Sequence, residues 1–544
     1  MRPTRIAARG LLLAALPLAT AAIADEAPLA DAAEEADWDA VRTLLGRGAD
    51  ANDAQVDGMT ALHWASYHDD LAAARLLIEA GADASAENRY GVSPLSLACS
   101  NGNGPLVALL LEAGADPNTT LPGGETALMT ASRTGVPGPI SALLARGAEV
   151  DARERNGQTA LMWAAAEGNA EAVSLLIAAG ADIRAEAASG FTPLFFAVRE
   201  GKAEVVRRLL EAGADVNEAM RPGRSRRSPA RGYAPLLLAV ENGHFELAAE
   251  LLEAGADPND MRSGVTALHM ISWVRKPNLG DDESGNPAPI GSGTMTSLQL
   301  VEALVAHGAD VNARLDRGPT GRGVLGRPGA TPFLLASMTA DVPLMKALLA
   351  LGADPTLPND QGSTPLMAAA GLGCLAPGEV AGTEEEALEA VALALELGND
   401  INAVDANGET AMHGAAYKNL PRVVDLLADR GADASVWNRE NAHGWTPLAI
   451  AEGHRPGNFK PSPETVAALH RALLASGATT GSSVPESRDR AGESPSPSEA
   501  PSPSAPRPGS EDQGPRTLPR ERSAAPGLPP DSPATPGRKG RASD

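Results

Sequence analysis

The stretch that decides the fold is residues 157–189, GQTALMWAAAEGNAEAVSLLIAAGADIRAEAAS. Thr159 stands directly before an apolar, Ala-rich run, as a helix N-cap does. A second apolar segment, residues 171–177, has helical spacing and ends shortly before Gly180, a residue suited to a left-handed C-terminal cap. The stretch therefore predicts two short helices followed by a turn.

The same pattern returns along the chain, at first every 33 residues. Eleven copies of the Thr motif begin at Thr60, Ser93, Thr126, Thr159, Thr192, Ala234, Thr266, Thr331, Thr364, Thr410 and Thr446. A Gly-Ala-Asp marker or a close variant occurs twelve times, at Gly48, Gly81, Gly114, Gly147, Gly180, Gly213, Gly255, Gly308, Gly352, Gly398, Gly431 and Gly477. Because there is one more marker than Thr motifs, and the first marker precedes the first motif, the repeat array is predicted to begin with a partial repeat.

These residues resemble the ankyrin-repeat family, whose T-P-L-H-x-A signature and 33-residue period they reproduce over residues 28–478. The resemblance implies an all-α repeat solenoid of helix-turn-helix units with hairpin fingers. It would have about twelve repeats including the partial first one. We expect a repeat domain at 25–478, with full repeats starting near residues 58, 91, 124, 157, 190, 232, 264, 329, 362, 408 and 444.

The two ends differ from the repeats. Residues 1–24 have three arginines, an apolar stretch and an Ala22-Ile23-Ala24 site, which predicts a secretory signal peptide cleaved after Ala24. An Arg-rich organellar transit peptide is the alternative. We therefore expect a periplasmic or secreted, bacterial protein without a membrane span. Residues 479–544 are rich in Ser, Pro and charge without apolar periodicity, which predicts a disordered tail.

Composition narrows the class of partner. The formal net charge is −24, so nucleic acid and anionic lipid are disfavoured. Cys99 and Cys374 lie about eight repeats apart, too far for a disulfide in a linear array. Cys99 occupies an Ala position of its repeat and is predicted to be a small core residue, whereas Cys374 lies in an insertion as a candidate free thiol.

Catalytic and metal-binding signatures are missing from the sequence. It has no phosphate-binding Gly-Lys-Ser/Thr loop, no C-x-x-C pair and no H-E-x-x-H motif. His63, His269 and His413 occupy the fourth position of the Thr motif, where the resemblance implies a structural hydrogen-bonding role. We expect no enzyme activity, cofactor or metal; calcium binding is the remaining alternative, without a dense acidic loop to support it.

The resemblance implies that a protein partner binds in a concave groove, at positions the repeat does not dictate. The predicted partner-binding residues are Trp64, Tyr67, Tyr90, Arg133, Arg155, Trp163, Phe196 and Arg199. Several are aromatic in a chain with only 3% aromatic residues, and Trp, Tyr and Arg are enriched at interface hot spots. The alternative is that Trp64, Trp163 and Phe196 pack against neighbouring helices. We expect a monomeric scaffold.

Insertions modify the second half of the array. They include an Arg-rich finger at 221–231 and long turns at 275–295, 371–384 and 454–463. Each of these long turns ends in a helix start: the capping boxes Thr296-x-x-Gln299 and Thr383-x-x-Glu386, and Ser462-Pro463 with Pro at the first helical position. A second hypothesis is therefore an exported enzyme, or its accessory subunit, with a site in these insertions around Cys374 and residues 437–460. A third is a cell-envelope protein whose tail contacts the wall.

Overall fold

The structure is a computed structural model that describes residues 27–221, 232–277, 289–318, 325–374, 381–454 and 461–477. These residues form 25 α-helices and no β-strand, apart from two isolated antiparallel bridges, Ala54 with Thr60 and Thr120 with Thr126. The predicted all-α class is thereby confirmed. The predicted signal peptide, the predicted tail and residues 222–231 of the Arg-rich finger lie outside the described residues.

The chain divides into two compact units. Unit 1 comprises Met1–Ser225, Ala234–Pro258 and Ile290–Thr296. Its described helices are α1 (Pro28–Glu34), α2 (Trp38–Gly46), α3 (Ala61–Tyr67), α4 (Leu71–Glu79), α5 (Pro94–Asn101), α6 (Gly104–Glu112), α7 (Ala127–Thr134), α8 (Pro137–Ala145), α9 (Ala160–Glu167), α10 (Ala170–Ala178), α11 (Pro193–Arg199), α12 (Ala203–Glu211), α13 (Pro235–Glu241) and α14 (Phe245–Glu253).

Unit 2 comprises Arg226–Tyr233, Asn259–Pro289 and Ser297–Asp544. Its described helices are α15 (Ala267–Arg275), α16 (Ser297–Ala306), α17 (Pro332–Met338), α18 (Val342–Ala350), α19 (Pro365–Ala369), α20 (Glu384–Glu396), α21 (Ala411–Lys418), α22 (Pro421–Asp429), α23 (Ala434–Trp437), α24 (Pro447–Ala451) and α25 (Pro463–Ala475).

Each Thr motif starts a helix as predicted. Thr126 has extended dihedral angles (φ −86°, ψ 161°), and its Oγ1 accepts a hydrogen bond of 3.2 Å from the backbone N–H of Met129. Such a cap stabilises a helix by about 1 kcal/mol relative to Ala. The same side-chain cap is made by Thr60, Ser93, Thr192, Thr266, Thr331, Thr364 and Thr446.

Glycines end the second helices and shape the fingers. Gly180, just after α10, has φ +89°, and Gly190, in the finger that follows, has φ +86°. Side chains other than Gly rarely adopt this left-handed conformation, so these positions of the repeat require Gly.

Helices of successive repeats pack in two layers within each unit. In unit 1, α3, α5, α7, α9, α11 and α13 contact one another in turn, and α4, α6, α8, α10 and α12 do the same in the other layer. In unit 2 the corresponding rows are α15, α17, α19, α21, α24 and α16, α18, α20, α22, α25. Small residues such as Ala164 and Ala165, both fully buried, let neighbouring helices approach closely.

Hydrogen bonds also join consecutive fingers. The backbone N–H of Arg89 donates to the carbonyl oxygen of Asp57 at 2.8 Å. At the finger base, Asn52 donates from Nδ2 to the carbonyl oxygen of Gly81 (3.0 Å) and accepts at Oδ1 from the backbone N–H of Asp83 (2.7 Å). These bonds fix the register of one repeat on the next.

The helix starts predicted after the three long turns are present, and α16 begins at Ser297, directly after Thr296. Thr383 and Glu386 form the capping box, with backbone-to-side-chain bonds of 3.0 and 3.3 Å. Ser462 caps α25 by accepting from the backbone N–H of Thr465, with Pro463 at the first helical position.

Neither cysteine forms a disulfide, and both are buried. Cys99 is fully buried in α5, where burial raises the pKa of its thiol to about 12. Cys99 is therefore a core residue, as predicted. Cys374, the candidate free thiol, is only 3% exposed.

Candidate protein-binding surface

Four side chains of the first repeats form a group of rings, here called the N-terminal ring cluster: Trp38, Trp64, Tyr67 and His68. The rings of Trp64 and Tyr67 meet edge to face, with centroids 5.6 Å apart, and those of Trp38 and His68 do so at 6.1 Å. Tyr67 is 48% exposed and Trp64 is half-buried. The structure therefore brings two predicted residues, Trp64 and Tyr67, together on the surface of unit 1.

Gln55 connects this cluster to two carboxylates. Its Oε1 accepts a hydrogen bond of 2.8 Å from the indole N–H of Trp64. Its Nε2 donates to Oδ1 of Asp31 at 2.9 Å and to Oε2 of Glu34 at 2.6 Å. The Nε2 atom of His68 lies 2.8 Å from the carbonyl oxygen of Glu34. The end of α1 thus places acidic side chains beside the rings.

Sequence reasoning missed Trp38, Gln55 and the two carboxylates. Trp38 belongs to the partial first repeat, which lacks the Thr motif that located the other candidates. Gln55 lies on a finger, where residue type varies among the repeats. A rule that matched finger residues to the helices of the preceding repeat would have found Gln55.

Arg133 and Trp163, both predicted, form a pair between neighbouring repeats. The guanidinium carbon of Arg133, in the last turn of α7, lies 5.3 Å from the ring centroid of Trp163 in α9. The carboxylate of Glu125 lies 3.8 Å from the same guanidinium group. A cation over an aromatic face is attracted by the ring quadrupole, so the arginine covers one face of the Trp163 ring.

Arg199 makes a similar contact with two phenylalanines. Its guanidinium carbon lies 5.2 Å from the ring centroid of Phe191 and 5.3 Å from that of Phe196. Arg199 remains half-exposed and pairs with Glu200 at 2.9 Å. Phe196 is only 5% exposed, so its ring packs in the core of unit 1, the alternative considered for this residue.

The remaining predicted residues lie on fingers. Tyr90 is 67% exposed, and Val56 on the preceding finger is 59% exposed. Arg155 is exposed, and its backbone N–H donates to the carbonyl oxygen of Gly123 at 3.0 Å. The fingers of unit 1 thus carry exposed apolar and basic side chains that are held at the backbone.

The three motif histidines are structural. Nδ1 of His269 lies 2.8 Å from Oγ1 of Thr266, and Nε2 lies 3.1 and 3.2 Å from the carbonyl oxygens of Ala313 and Ala330. His63 and His413 make the same kind of bridge. Burial lowers the pKa of His269 and of His413 to about 4, so both are neutral at pH 7. The hydrogen-bonding role that the resemblance implied is confirmed.

In unit 2 the structure shows a buried polar network that sequence reasoning missed. The hydroxyl of Tyr417 donates to Oε1 of Glu409 at 2.7 Å, and Nδ2 of Asn441 donates to the same oxygen at 3.0 Å. Glu409 is 4% exposed, and burial raises the pKa of its carboxyl to about 7, with a smaller contribution from Asp405. The network joins α21 to the next finger.

Two residues considered for an insertion site, Trp437 and Cys374, lie inside the fold. Trp437 is 3% exposed, and its indole N–H donates to the carbonyl oxygen of Ala432 at 3.3 Å. Cys374 is equally buried, and residues 455–460 lie outside the described residues. Over the ranges that the structure describes, no three His, Cys, Asp or Glu side chains converge as metal ligands would. None of the helices in those ranges is long and apolar enough to cross a membrane.

Stacked helix pairs with glycine-shaped fingers define a helical repeat protein. A model of three ankyrin repeats matches residues 29–121, 105–187, 128–220 and 380–460, and a model of one ankyrin repeat matches residues 231–262. Together these matches cover more than half of the chain. The chain belongs to the ankyrin-repeat family.

Known relatives share parts of the array. The chain is 34% identical over 106 residues to NF-kappa-B inhibitor alpha of Homo sapiens, a match that covers 20% of this chain and 31% of that protein. It is 48% identical over 50 residues to an ankyrin repeat protein of Fowlpox virus, covering 9% of this chain and 12% of the viral protein. The chain thus spans about a third or less of the length of these curated relatives.

Among solved structures, the human ASB11 ankyrin repeat domain is similar to this chain, with 26% identity and a TM-score of 0.37. The similarity covers 43% of this chain and all of that domain. Ankyrin repeats are protein-interaction modules. Family membership therefore makes the repeat array a scaffold for protein–protein interaction, in a family whose members are typically not catalytic.

Proposed function

We propose that this protein binds a partner protein in the groove of its first five repeats, and that it does so in the periplasm or outside the cell. The observation that carries the proposal is the exposed aromatic and basic side chains on successive repeats of unit 1. Tyr67 and Tyr90 are 48% and 67% exposed. Trp64 and Trp163 are half-buried and held by neighbouring side chains.

The rigidity of these side chains favours binding. Trp64 is fixed by Gln55, and Trp163 lies under Arg133, so little side-chain entropy remains to be lost when a partner docks. Large aromatic side chains and arginine dominate binding energy where they are prearranged in this way.

The proposed location rests on the amino-terminal sequence. Basic residues, an apolar stretch and the site Ala22-Ile23-Ala24 are the parts that a signal peptidase substrate requires. Cell fractionation of the native host and amino-terminal sequencing of the recovered protein test this part. A protein retained in the cytoplasm with Met1 or Arg2 at its terminus would contradict it.

Capture of partners by the full-length protein tests the groove. We expect Trp64→Ala and Trp163→Ala each to reduce recovery of the main partner about tenfold or more, the loss expected for a hot-spot residue. Trp445→Ala serves as the matched control, because Trp445 is also a half-buried tryptophan but lies in unit 2.

Folding of each variant is checked by far-UV circular dichroism. If both unit 1 variants are folded and recover every partner as well as the unchanged protein does, the proposed groove is wrong. A loss seen only with Trp445→Ala would move the binding site to unit 2.

A further inference from the structure

The N-terminal ring cluster lies in a strongly acidic part of the described chain. Residues 27–70 contain ten carboxylates and only two arginines. Eight of these carboxylates are exposed: Asp31, Glu34, Glu35, Asp37, Asp39, Asp50, Asp53 and Asp69. One of the arginines, Arg42, is already paired with Asp39 at 2.5 Å. The field at this surface therefore attracts cations and repels anions.

Two of the carboxylates are tied to the rings themselves. Gln55 donates to Asp31 and Glu34 while it accepts from Trp64, so the acidic groups and the indole form one hydrogen-bonded unit. A cation bound beside Trp64 would be close both to the indole ring and to the carboxylates that Gln55 holds. Ring quadrupole and carboxylate charge both favour a cation there.

The ring cluster also differs from the aromatic side chains that arginines of the chain already cover. Among the described residues, arginines of the chain itself lie over Trp163, Phe191, Phe196 and Trp273. No described arginine or lysine lies over Trp38, Trp64 or Tyr67. In the ring cluster the rings contact each other, and Tyr67 remains half-exposed.

We propose that the N-terminal ring cluster docks a lysine or arginine side chain from a basic segment of the partner protein. The proposal rests on the proposed function and names the chemistry of its ligand. The cation lies against the exposed ring of Tyr67 and the half-buried ring of Trp64, and its charge is balanced by Asp31 and Glu34. An acidic or purely apolar segment would leave these carboxylates without compensation.

The test uses the full-length protein and fluorescein-labelled peptides of Gly and Ser that carry four lysines, four glutamines or four glutamates. Fluorescence anisotropy gives the dissociation constant of each peptide. We expect only the lysine peptide to bind measurably. Tyr67→Ala and Glu34→Gln should each weaken its binding about fivefold or more, the effect expected for a partly desolvated cation–π contact or ion pair.

Two matched variants separate this site from general charge attraction. Glu253→Gln removes one exposed carboxylate from α14, and Trp445→Ala removes a half-buried aromatic ring from unit 2. Both should leave the dissociation constant within about twofold, because neither residue belongs to the ring cluster. Equal weakening by Glu34→Gln and Glu253→Gln, or full binding by folded Tyr67→Ala, overturns the proposal.

The outcome is independent of the partner capture described above. If Trp163→Ala abolishes partner capture but the lysine peptide neither binds nor competes with the partner, the scaffold function stands and this inference fails. If the lysine peptide binds as expected but no partner depends on Trp64 or Trp163, the proposed groove fails and the cation site stands.

Discussion

Arg275 and Asp341 form a doubly hydrogen-bonded ion pair inside unit 2. Nε of Arg275 donates to Oδ2 of Asp341 at 2.7 Å, and its second terminal nitrogen donates to Oδ1 at 3.0 Å. The Asp341 side chain is 1% exposed. Arg275 also donates to Oγ of Ser297 at 2.7 Å. The end of α15 is thus tied both to the start of α18 and to the start of α16, on either side of the insertion at 275–295.

Arg275→Gln should lower the free energy of unfolding by about 3 kcal/mol, because it leaves the carboxylate of Asp341 buried without its charge partner. The double variant Arg275→Gln/Asp341→Asn should recover part of this loss, since no unpaired charge remains. Urea unfolding followed by circular dichroism measures both.

Arg471→Gln is the control for this ion pair. Arg471 also makes two hydrogen bonds to one carboxylate, that of Asp425, but its side chain is 58% exposed. Its loss should cost less than about 1 kcal/mol, as exposed ion pairs do. If Arg275→Gln and Arg471→Gln lowered the free energy of unfolding equally, burial would not be what makes the Arg275 ion pair important.

Glu409 should make unit 2 less stable as the pH rises. Because burial raises the pKa of Glu409 to about 7 in the folded state, the folded protein keeps a proton that the unfolded chain releases above its ordinary pKa. Stability from this group is complete below about pH 4.5 and falls as the pH approaches 7. Glu409→Gln, which retains an oxygen for Tyr417 and Asn441, should remove that fall.

The measurement is urea unfolding at several pH values. The difference in unfolding free energy between Glu409→Gln and the unchanged protein should grow by roughly 2–3 kcal/mol from pH 4.5 to 7.5. Glu440→Gln, an exposed carboxylate in the same region, should show no such change. A difference that does not vary with pH would mean that Glu409 is ionised in the fold.

The local parts of this fold could be predicted from the sequence, and the contacts between repeats could not. The predicted features depend on residues within a few positions of one another; examples are the Thr126 cap, the helix end at Gly180 and the Thr383 capping box. Arg275 with Asp341 is a contact over 66 positions, and its partner is fixed only when the helices are stacked.

The candidate site also has some residues that the sequence predicted and others that it could not. Residue type and repeat position pointed to Trp64 and Tyr67, which lie together on the surface. Position alone did not reveal that the ring of Phe196 packs under Arg199 in the core. Gln55 was missed because the amide joins helices from two repeats, and only the stacked structure shows that junction.

His269 and His413 should make the fold less stable as the pH falls. This pH dependence has the opposite sign to the one expected from Glu409. Their folded pKa of about 4 lies below the ordinary value of 6.5, so the unfolded chain binds protons first as the pH falls. Their stabilisation is complete above about pH 6.5 and is lost as the pH falls towards 4. His269→Gln should therefore lower stability at pH 7 and weaken its dependence on pH below 6.5.

Glu409→Gln is the background in which to measure this effect, since the opposing carboxyl is then absent. His307→Gln is the control, because His307 is exposed on unit 2 and bonds only within its own helix end. If the free energy of unfolding fell more steeply with falling pH in His269→Gln than in the His307→Gln control, the buried imidazole would be protonated in the fold.

Gly104→Ala should destabilise unit 1 because two outer helices meet backbone to backbone. A Cβ atom at Gly104 would lie 3.0 Å from Cα and 3.1 Å from the carbonyl carbon of Gly138 in α8. Backbone atoms cannot turn aside as a side chain can, so α6 and α8 must separate. Overpacking of this kind costs about 1–3 kcal/mol.

Gly46→Ala distinguishes this contact from the general effect of replacing Gly in a helix. A Cβ at Gly46, in the last turn of α2, meets nothing within 4 Å. There Ala should be neutral or stabilise by about 0.5–1 kcal/mol through its better helix propensity. Urea unfolding of both variants shows whether each substitution raises or lowers the free energy of unfolding. If Gly104→Ala is as stable as Gly46→Ala, the close approach of α6 and α8 does not constrain the stacking of these repeats.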